Sequence, residues 1–465
     1  MKLAAPAQPS RSVMIRPDLH LSPSFLAWLA PYLTVFSRRT RPTVAALTVG
    51  ALLAIGPRTV TNCLRTLGLA EHPSFTAFHR VLNRNAWSSL ALARMLLRAV
   101  VTTFVPSGSI VIGVDHTLER RRGRRIGPAG YFYDASRSSA EVKTTNRGLR
   151  WLSAMVLVEV PFAGRIWALP VLTALTPSKA WSEQHGRRHR TVTEWARLML
   201  LAVHRWLPDR PIIVVADGEF AALELLHGLR TRMAVITRLR KDACLFDAPP
   251  RYTGKPGRIP RKGKRQPQLS ERITDPATRW QRVVQASRTS WRSGGWIEYA
   301  HGTALWYHGG KPIVPILWVL VRYPDGRREP EAFLCTDTTA SPRDVLDCFN
   351  RRWAMETTYE EARAHLGVET QRQWSDPAVF RTTPLLLGLY SAITLYVHQN
   401  AERFALSPRR AAWYPKPAPT FADALARLRR HLWFERIVMS AKTTDSTEPI
   451  APELQGILDA ICYAP

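Results

Sequence analysis

Residues 109–115 have the sequence SIVIGVD and residues 211–217 have the sequence PIIVVAD. Each stretch is a short apolar run, rich in β-branched residues, that follows a turn-forming residue, a pattern typical of a buried strand. Each stretch ends in an acidic residue, Asp115 and Asp217. Sites in open α/β sheets form at the carboxyl ends of strands, so these two positions are candidates for one shared site.

A third acid lies far downstream, in residues 349–367 (FNRRWAMETTYEEARAHLG), where the pattern predicts a helix. Glu356 shares a helical face with Arg352 and Arg363. Two-metal phosphoryl transfer needs acids that hold two cations about 4 Å apart, and Mg²⁺ prefers carboxylate oxygen. We therefore predict that Asp115, Asp217 and Glu356 are catalytic and bind two Mg²⁺ ions, with Mn²⁺ as a substitute. The alternatives are that the aspartates are turn or cap residues and that Glu356 belongs to an ordinary ion-pair network.

The composition favours a polyanionic partner. The chain has 465 residues, a formal charge of +29 and only 10 lysines among its 65 basic residues. Such an excess attracts nucleic acid or an anionic membrane surface, and arginine binds phosphate in a bidentate manner. Five scattered cysteines without a C-x-x-C pair, no signal-like N-terminus and no long apolar run predict a soluble, cytoplasmic protein with no membrane partner.

Changes in pattern along the chain predict its organisation. Residues 1–105 are predicted to be a helical DNA-binding domain, and residues 106–240 with 340–400 a mixed α/β core. Residues 241–339 are predicted to be a basic loop and a β-rich insertion, and residues 401–465 a basic helical tail. In the first segment, helices separated by a tight turn and accompanied by arginines fit either a helix-turn-helix DNA reader or an ordinary helical bundle; these arginines are Arg58, Arg65, Arg80 and Arg84.

Two basic stretches are candidate phosphate contacts. Residues 251–267 (RYTGKPGRIPRKGKRQP) predict a flexible basic loop, in which Lys262, Lys264 and Arg265 are candidate DNA-binding residues. Residues 120–125 (RRRGRR) follow the first strand closely, so Arg122 and Arg124 are either a phosphate clamp beside the metal site or part of a solvated loop. Glu119 is a spare acid that could support the metal ligands.

The three acidic motifs together resemble those of bacterial insertion-sequence transposases of the DDE type, in the group with a Tyr-x2-Arg-x3-Glu-x6-Lys signature. The corresponding residues here are Phe349, Arg352, Glu356 and Arg363. Lysine is thus replaced by arginine, which keeps the charge, and tyrosine by phenylalanine, which loses a hydroxyl group. The motifs VIGVDHT around Asp115 and VVADGEF around Asp217 also resemble the family pattern.

The resemblance implies a ribonuclease H-like catalytic core, interrupted by the β-rich insertion, that performs cut-and-paste transposition. The implied substrates are double-stranded transposon ends with inverted repeats and target DNA, held by a homodimer. Phe349, Arg352 and Arg363 are then expected to contact DNA. A tryptophan of the insertion is expected to stack on a flipped base or, alternatively, to be an ordinary core residue; the candidates are Trp296 and Trp306, followed by Trp291 and Trp318.

Two other functions remain open from the sequence. A decayed relative would keep the basic surface and bind DNA without cleaving it. Another ribonuclease H-like nuclease would share the acids, although the β-rich segment before Glu356 and the Arg352–Arg363 helix favour a transposase. Inverted repeats bracketing the gene would distinguish a mobile element from both.

Overall fold

The computed structural model describes residues 21–134, 137–139, 141–251, 259–284, 296–326, 328–444, 458 and 461–464. These residues form a mixed α/β fold around one mixed sheet of 11 strands. The strands are β1 (Ile110–Arg120), β2 (Gly130–Tyr133), β3 (Thr145–Val160), β4 (Arg165–Thr176), β5 (Ile212–Ala216), β6 (Ala234–Leu239), β7 (Leu245–Phe246), β8 (Gln281–Val284), β9 (Trp296–Trp306), β10 (Val314–Arg322) and β11 (Glu331–Cys335).

The helices lie before, between and after these strands. They are α1 (Pro23–Leu33), α2 (Arg41–Leu53), α3 (Val60–Thr66), α4 (Phe75–Asn83), α5 (Ser89–Phe104), α6 (Lys179–Gln184), α7 (Val192–Trp206), α8 (Leu223–Leu229), α9 (Leu269–Thr274), α10 (Pro342–Arg351), α11 (Trp353–Leu366), α12 (Asp376–Gln399), α13 (Ala401–Phe404) and α14 (Phe421–Thr444). The start of α7 is set by a capping box, in which Thr191 and Glu194 satisfy each other's backbone N–H groups.

The centre of the sheet has the strand order β4-β3-β1-β5-β6. β1, β5 and β6 are parallel, whereas β3 and β4 form an antiparallel hairpin beside β1. This mixed arrangement is consistent with a ribonuclease H-like fold of the DDE type. Helices cover the apolar strands, as a parallel sheet buried on both faces requires.

The first strand is longer than its apolar run. The sequence predicted that it ends at Asp115, but β1 continues to Arg120 because β3 pairs with it from Ile112 onward, with Asp115 opposite Ser153 and Arg120 opposite Gly148. Asp115 therefore lies in the middle of a strand, and that part of the prediction was wrong. Asp217, in contrast, follows directly after the end of β5.

The predicted β-rich segment adds its strands to the same sheet. β11 pairs antiparallel with β6, with Cys335 opposite Ile236, and β10 and β9 follow in order. These strands thus widen the central sheet, and backbone hydrogen bonds run without a break from β6 to β9. The boundary of an insertion at residues 241–339 stays a prediction.

The N-terminal segment is helical, and its helices pack directly on the core. α5 contacts β4 and α12, and α2 contacts α14. Of the two roles left open for Arg58, the structure favours the helical bundle: its side chain is buried and donates to the carbonyl oxygens of Ala51 and His365. Arg58 therefore joins this segment to the end of α11.

One described helix, α12, is long and apolar enough to cross a membrane. In the structure, 61% of its apolar window is buried inside the protein. α12 packs against β4, α5 and α11, as a central core helix does.

Candidate active site

The first two acids lie on neighbouring parallel strands. Val114 of β1 is level with Ala216 of β5, so Asp115 and Asp217, which follow them, stand side by side at the same height of the sheet. Burial raises the pKa of Asp115, and the nearby charge of Asp217 raises it further. Arg352 and His116 act against this rise because their positive charges favour the carboxylate.

The third acid reaches this pair through an arginine. Arg352 Nη1 lies 3.3 Å from Asp115 Oδ2, and Arg352 Nη2 lies 3.1 Å from Glu356 Oε1. One guanidinium group therefore bridges two of the three predicted catalytic carboxylates. Its planar fork suits this role, since each nitrogen faces a different acceptor.

The helix that carries Glu356 begins later than the sequence predicted. A continuous helix was expected in residues 349–367, but α10 ends at Arg351 and α11 begins at Trp353. Arg352 occupies the break, which lets its side chain turn toward β1. Glu356 lies in the first turn of α11, where the positive end of the helix dipole stabilises a carboxylate.

Two further contacts hold α11 against β1. The Tyr359 hydroxyl donates a hydrogen bond of 3.0 Å to the main-chain oxygen of Asp115. On the preceding turn, Met355 packs over Gly113, where a Cβ atom would lie only 2.5 Å from Met355 Sδ. The missing side chain at Gly113 thus allows the helix to approach the strand closely enough for Glu356 to join the site.

A second polar pair connects the motifs around the two aspartates. His116 Nε2 lies 2.7 Å from Glu219 Oε2, so the residue after Asp115 is bonded to the second residue after Asp217. The hydrogen bond to Glu219 raises the pKa of His116 against the effect of burial, and the bond to His116 lowers the pKa of Glu219. The sequence analysis missed this pair, although both residues stand in the VIGVDHT and VVADGEF motifs.

The donor atoms of this site have the chemistry of a hard-cation site. All three acids offer carboxylate oxygen, and the side chain of Asp217 accepts no hydrogen bond from the rest of the described chain. Within the described ranges, no three His, Cys, Asp or Glu side chains stand close enough together to hold a metal ion as they are. The Arg352 guanidinium stands between Asp115 and Glu356 instead. Carboxylate oxygens are the donors that a hard divalent metal prefers, and the set of residues that would bind such a metal stays a prediction.

Arg363 was predicted to contact DNA, and its guanidinium is engaged within the protein. It donates to the Thr117 hydroxyl and to Glu369, the latter over 3.2 Å. About a third of the Arg363 side chain is exposed, at 32%. These contacts place Arg363 along β1, two residues beyond Asp115, and its DNA contact stays a prediction.

Three of the candidate residues are buried, which does not fit the functional role considered for them; for Trp318 the alternative of a core residue holds. Phe349 is only 6% exposed and packs on Phe333, with ring centroids 4.6 Å apart, so it cannot touch a DNA phosphate. Trp318 is 4% exposed in β10, which lies between two other strands, so it is a core residue. Glu119 is 1% exposed and accepts hydrogen bonds from Trp151 and Arg121, so it does not support the metal ligands.

The two preferred stacking candidates have accessible rings. Trp296 is 39% exposed, and the Arg282 guanidinium carbon lies 3.7 Å from the centre of its ring system. Trp306 helps to line a cavity of about 480 Å³ that also contains Tyr307 and Lys311. Trp291, the other candidate, lies outside the described residues.

The predicted basic loop is partly tied to the sheet. Lys262 Nζ lies 3.4 Å above the Phe246 ring and 4.7 Å from that of Tyr307, so this partly buried cation is stacked on two rings of the protein. Lys264 and Arg265 are exposed beside it. Arg122 and Arg124 are exposed in the loop that follows β1.

The sheet order defines a mixed α/β protein in which Asp115 of β1, Asp217 after β5 and Glu356 of α11 lie in one region. The family model of the DDE superfamily endonucleases matches residues 31–303, and the chain belongs to this family. The family implies a nuclease-type enzyme that acts on DNA. The match includes Asp115 and Asp217 and ends before Glu356. Comparison with curated proteins gives no match.

Proposed function

We propose that this protein is a DNA transposase that hydrolyses a strand at each transposon end. The freed 3′-hydroxyl then attacks a phosphodiester of target DNA, which joins the strands and releases the 3′-oxygen of the target strand. The observation that carries the proposal is the bridge formed by Arg352 between Asp115 and Glu356, with Asp217 beside Asp115. Two carboxylates that already bind one cation between them suit a reaction on phosphate.

Each residue of the site has a role in this proposal. Asp115, Asp217 and Glu356 would hold two Mg²⁺ or Mn²⁺ ions, which activate the attacking oxygen and stabilise the leaving one when bound. The Arg352 guanidinium binds the scissile phosphate after this guanidinium has moved away from the two carboxylates. His116 and Glu219 keep β1 and the end of β5 aligned, so that the two aspartates face the same phosphate.

The rest of the chain would hold the DNA. The N-terminal helices, Lys264 and Arg265 are candidates for gripping the terminal inverted repeats of double-stranded DNA in the bacterial cytoplasm. Cutting two ends in one event requires both to be held together, so a homodimer on DNA belongs to the proposal. Membership of the signature group and the cut-and-paste route are further parts of the proposal that rest on the Arg352–Glu356–Arg363 spacing.

The test is a cleavage assay on linear DNA that carries the ends of the protein's own element. Wild type, Glu356→Gln and Glu360→Gln are compared with Mg²⁺ and with EDTA. Glu360 is a matched control because it is an exposed glutamate one turn further along α11. We expect metal-dependent nicking at the ends by wild type and Glu360→Gln, and a loss of at least about 100-fold in Glu356→Gln.

Undiminished cleavage by Glu356→Gln would contradict the assignment of the third acid. Tight end binding without cleavage by the wild type under any divalent metal would instead support a catalytically silent, DNA-binding relative. Cleavage without preference for element ends would indicate another nuclease of the same family.

A further inference from the structure

Three large aromatic side chains are exposed on the surface beyond the end of β1. Tyr131 is 76% exposed, Tyr133 is 54% exposed and Trp374 is 58% exposed. Tyr131 and Tyr133 alternate along β2 with the half-buried Phe132, so both tyrosines face the same side of the strand, about 7 Å apart. Several large aromatic rings exposed near one another on a protein surface are typical of a binding site.

Uncompensated positive charge accompanies these rings. Arg122, Arg124 and Arg125 are exposed in the loop after β1. Arg122 and Arg124 form no ion pair or hydrogen bond with other parts of the chain that the structure describes. The Arg125 guanidinium carbon lies 5.9 Å from the centre of the Trp374 ring system. An arginine and an exposed aromatic ring are therefore in contact beside this loop.

Buried residues hold this loop in position. Arg121 is 7% exposed, forms an ion pair of 2.8 Å with Glu119 and donates to the main-chain oxygen of Gln373, which brings Trp374 to the loop. Arg147, which stands opposite Tyr131 on β3, donates to the main-chain oxygens of Arg121 and Gly123 over 3.2 and 2.9 Å. A surface that is already ordered loses less entropy when it binds a ligand.

The strand order connects this surface to the carboxylate site. The part of β1 from Asp115 to Arg120 leads directly into the loop. Five residues of strand place these two residues about 17 Å apart. A DNA strand whose phosphate lies at Asp115 can therefore extend a few nucleotides further and reach the loop.

We propose that the surface formed by Arg122, Arg124, Arg125, Tyr131, Tyr133 and Trp374 binds an unpaired stretch of DNA. Rings can stack only on bases whose faces are open, whereas a duplex offers these side chains its phosphates and the edges of its bases. The arginines then contact the phosphates of the same strand. This inference rests on the proposed function, because it takes DNA as the substrate.

The test uses the full chain in EDTA and measures fluorescence anisotropy with a labelled oligonucleotide, single-stranded and as the duplex of the same sequence. We expect Trp374→Ala and Tyr131→Ala each to weaken single-strand binding at least about fivefold, because an aromatic stack contributes this much per base. Duplex binding should stay within twofold of wild type. Trp374→Phe, which keeps a ring, should recover most of the affinity.

Two controls separate stacking from charge and folding. Phe434→Ala removes an equally exposed ring, 54% exposed on α14, and should leave both affinities unchanged. The logarithm of the single-strand binding constant falls as the logarithm of the salt concentration rises. Arg122→Ala should make this slope shallower by about 0.7. Thermal melts of all variants should match wild type, since the replaced side chains are exposed.

Single-strand affinity that is unchanged in Trp374→Ala and Tyr131→Ala would overturn the inference, as would an equal loss on duplex. If such a variant still cuts transposon ends, the inference fails and the proposed function stands. If the wild type neither cuts element ends nor binds either form of DNA, both fail.

Discussion

Arg352 and Asp115 form an ion pair at the centre of the candidate site, with 3.3 Å between Arg352 Nη1 and Asp115 Oδ2. The two residues are separated by 237 positions in the chain, so this contact depends on the whole core being assembled. Only 11% of the Arg352 side chain is exposed, which makes its charge effective because solvent screens it weakly. The same guanidinium also reaches Glu356, so it reduces the repulsion between the acids.

Removing this guanidinium should impair catalysis more than DNA binding. In Arg352→Ala, the carboxylates of Asp115 and Glu356 lose their shared counter-charge, and the transferred phosphate loses a preorganised donor. We expect single-turnover cleavage to fall at least about 100-fold, while Arg352→Lys, which keeps the charge without the fork, loses less. The control is Arg343→Ala, an exposed arginine on α10. Equal activity of Arg352→Ala and wild type would exclude this role.

The close approach of α11 to β1 should depend on Gly113. A Cβ atom there would lie 2.5 Å from Met355 Sδ and 3.0 Å from Leu157 Cδ2, so Gly113→Ala should push the helix and its Glu356 away from Asp115. Overpacking of this kind costs about 1–3 kcal/mol of unfolding free energy. We expect the loss in cleavage rate, expressed as a free energy, to be larger than this loss in stability. Urea unfolding and cleavage rates measure the two effects.

A double-mutant cycle checks the cause. In the Met355→Ala background, Gly113→Ala should have a smaller effect on cleavage because the clashing side chain is gone. If the effect of Gly113→Ala is the same in both backgrounds, Met355 is not the residue through which it acts.

Local patterns predicted the strands of the central sheet well. The apolar runs before Asp115 and Asp217 form β1 and β5, and their parallel register brings the two acids level. This succeeded because a buried strand has a strong local signal. The acids meet through the parallel pairing of Val114 with Ala216 and not at two strand ends, since Asp115 lies within β1. The end of β1 was missed because its last residues are polar and are held in the strand by pairing with β3.

Side-chain direction could not be predicted from spacing alone. Phe349 belongs to the same sequence signature as Arg352 and Glu356. The break between α10 and α11, however, leaves Phe349 packed on Phe333 in the core. Glu119 comes directly before a basic stretch. Only the fold shows that its carboxylate is buried and accepts a hydrogen bond from the Thr383 hydroxyl of α12. The His116–Glu219 pair links residues 103 positions apart, and no local signal marks such a contact.

Glu361 should make stability depend on pH. Burial raises the pKa of Glu361 above its ordinary value of 4.5, although a 2.7 Å hydrogen bond from the Tyr390 hydroxyl acts against this rise. The folded protein therefore holds this proton more tightly than the unfolded chain does. The contribution of Glu361 to the unfolding free energy is largest below the unfolded pKa, decreases as pH rises through the folded pKa, and is constant above it.

Glu361→Gln keeps an acceptor for Tyr390 and removes the ionisation. We expect the variant to match wild type near about pH 4 and to gain stability relative to wild type as the pH rises toward about 8. Urea unfolding at several pH values measures this difference. Glu360→Gln, an exposed neighbour, should show no such trend. A difference between Glu361→Gln and wild type that does not change with pH would contradict the burial of this carboxyl group.

Arg429 should be a structural residue although it is one of many arginines in a basic chain. It is 1% exposed and donates to the main-chain oxygens of Leu52 over 2.7 Å and Cys462 over 3.0 Å, so it joins α2, α14 and the C-terminal residues. Burial lowers its pKa to about 10, a cost that these hydrogen bonds offset. Arg429→Met keeps the apolar part of the side chain and leaves the buried oxygens unpaired, which costs about 1–3 kcal/mol for each.

We therefore expect Arg429→Met to lower the unfolding free energy by at least about 3 kcal/mol. Arg427→Met, two residues earlier on the same helix and only partly buried, should change the unfolding free energy by less than about 0.5 kcal/mol. Urea unfolding followed by tryptophan fluorescence measures both. If the two variants are equally stable, the buried hydrogen bonds of Arg429 do not hold α2 to the C-terminal part of the chain. DNA binding by the folded fraction of Arg429→Met should equal that of wild type, because a guanidinium enclosed in the core contributes nothing to the phosphate contacts.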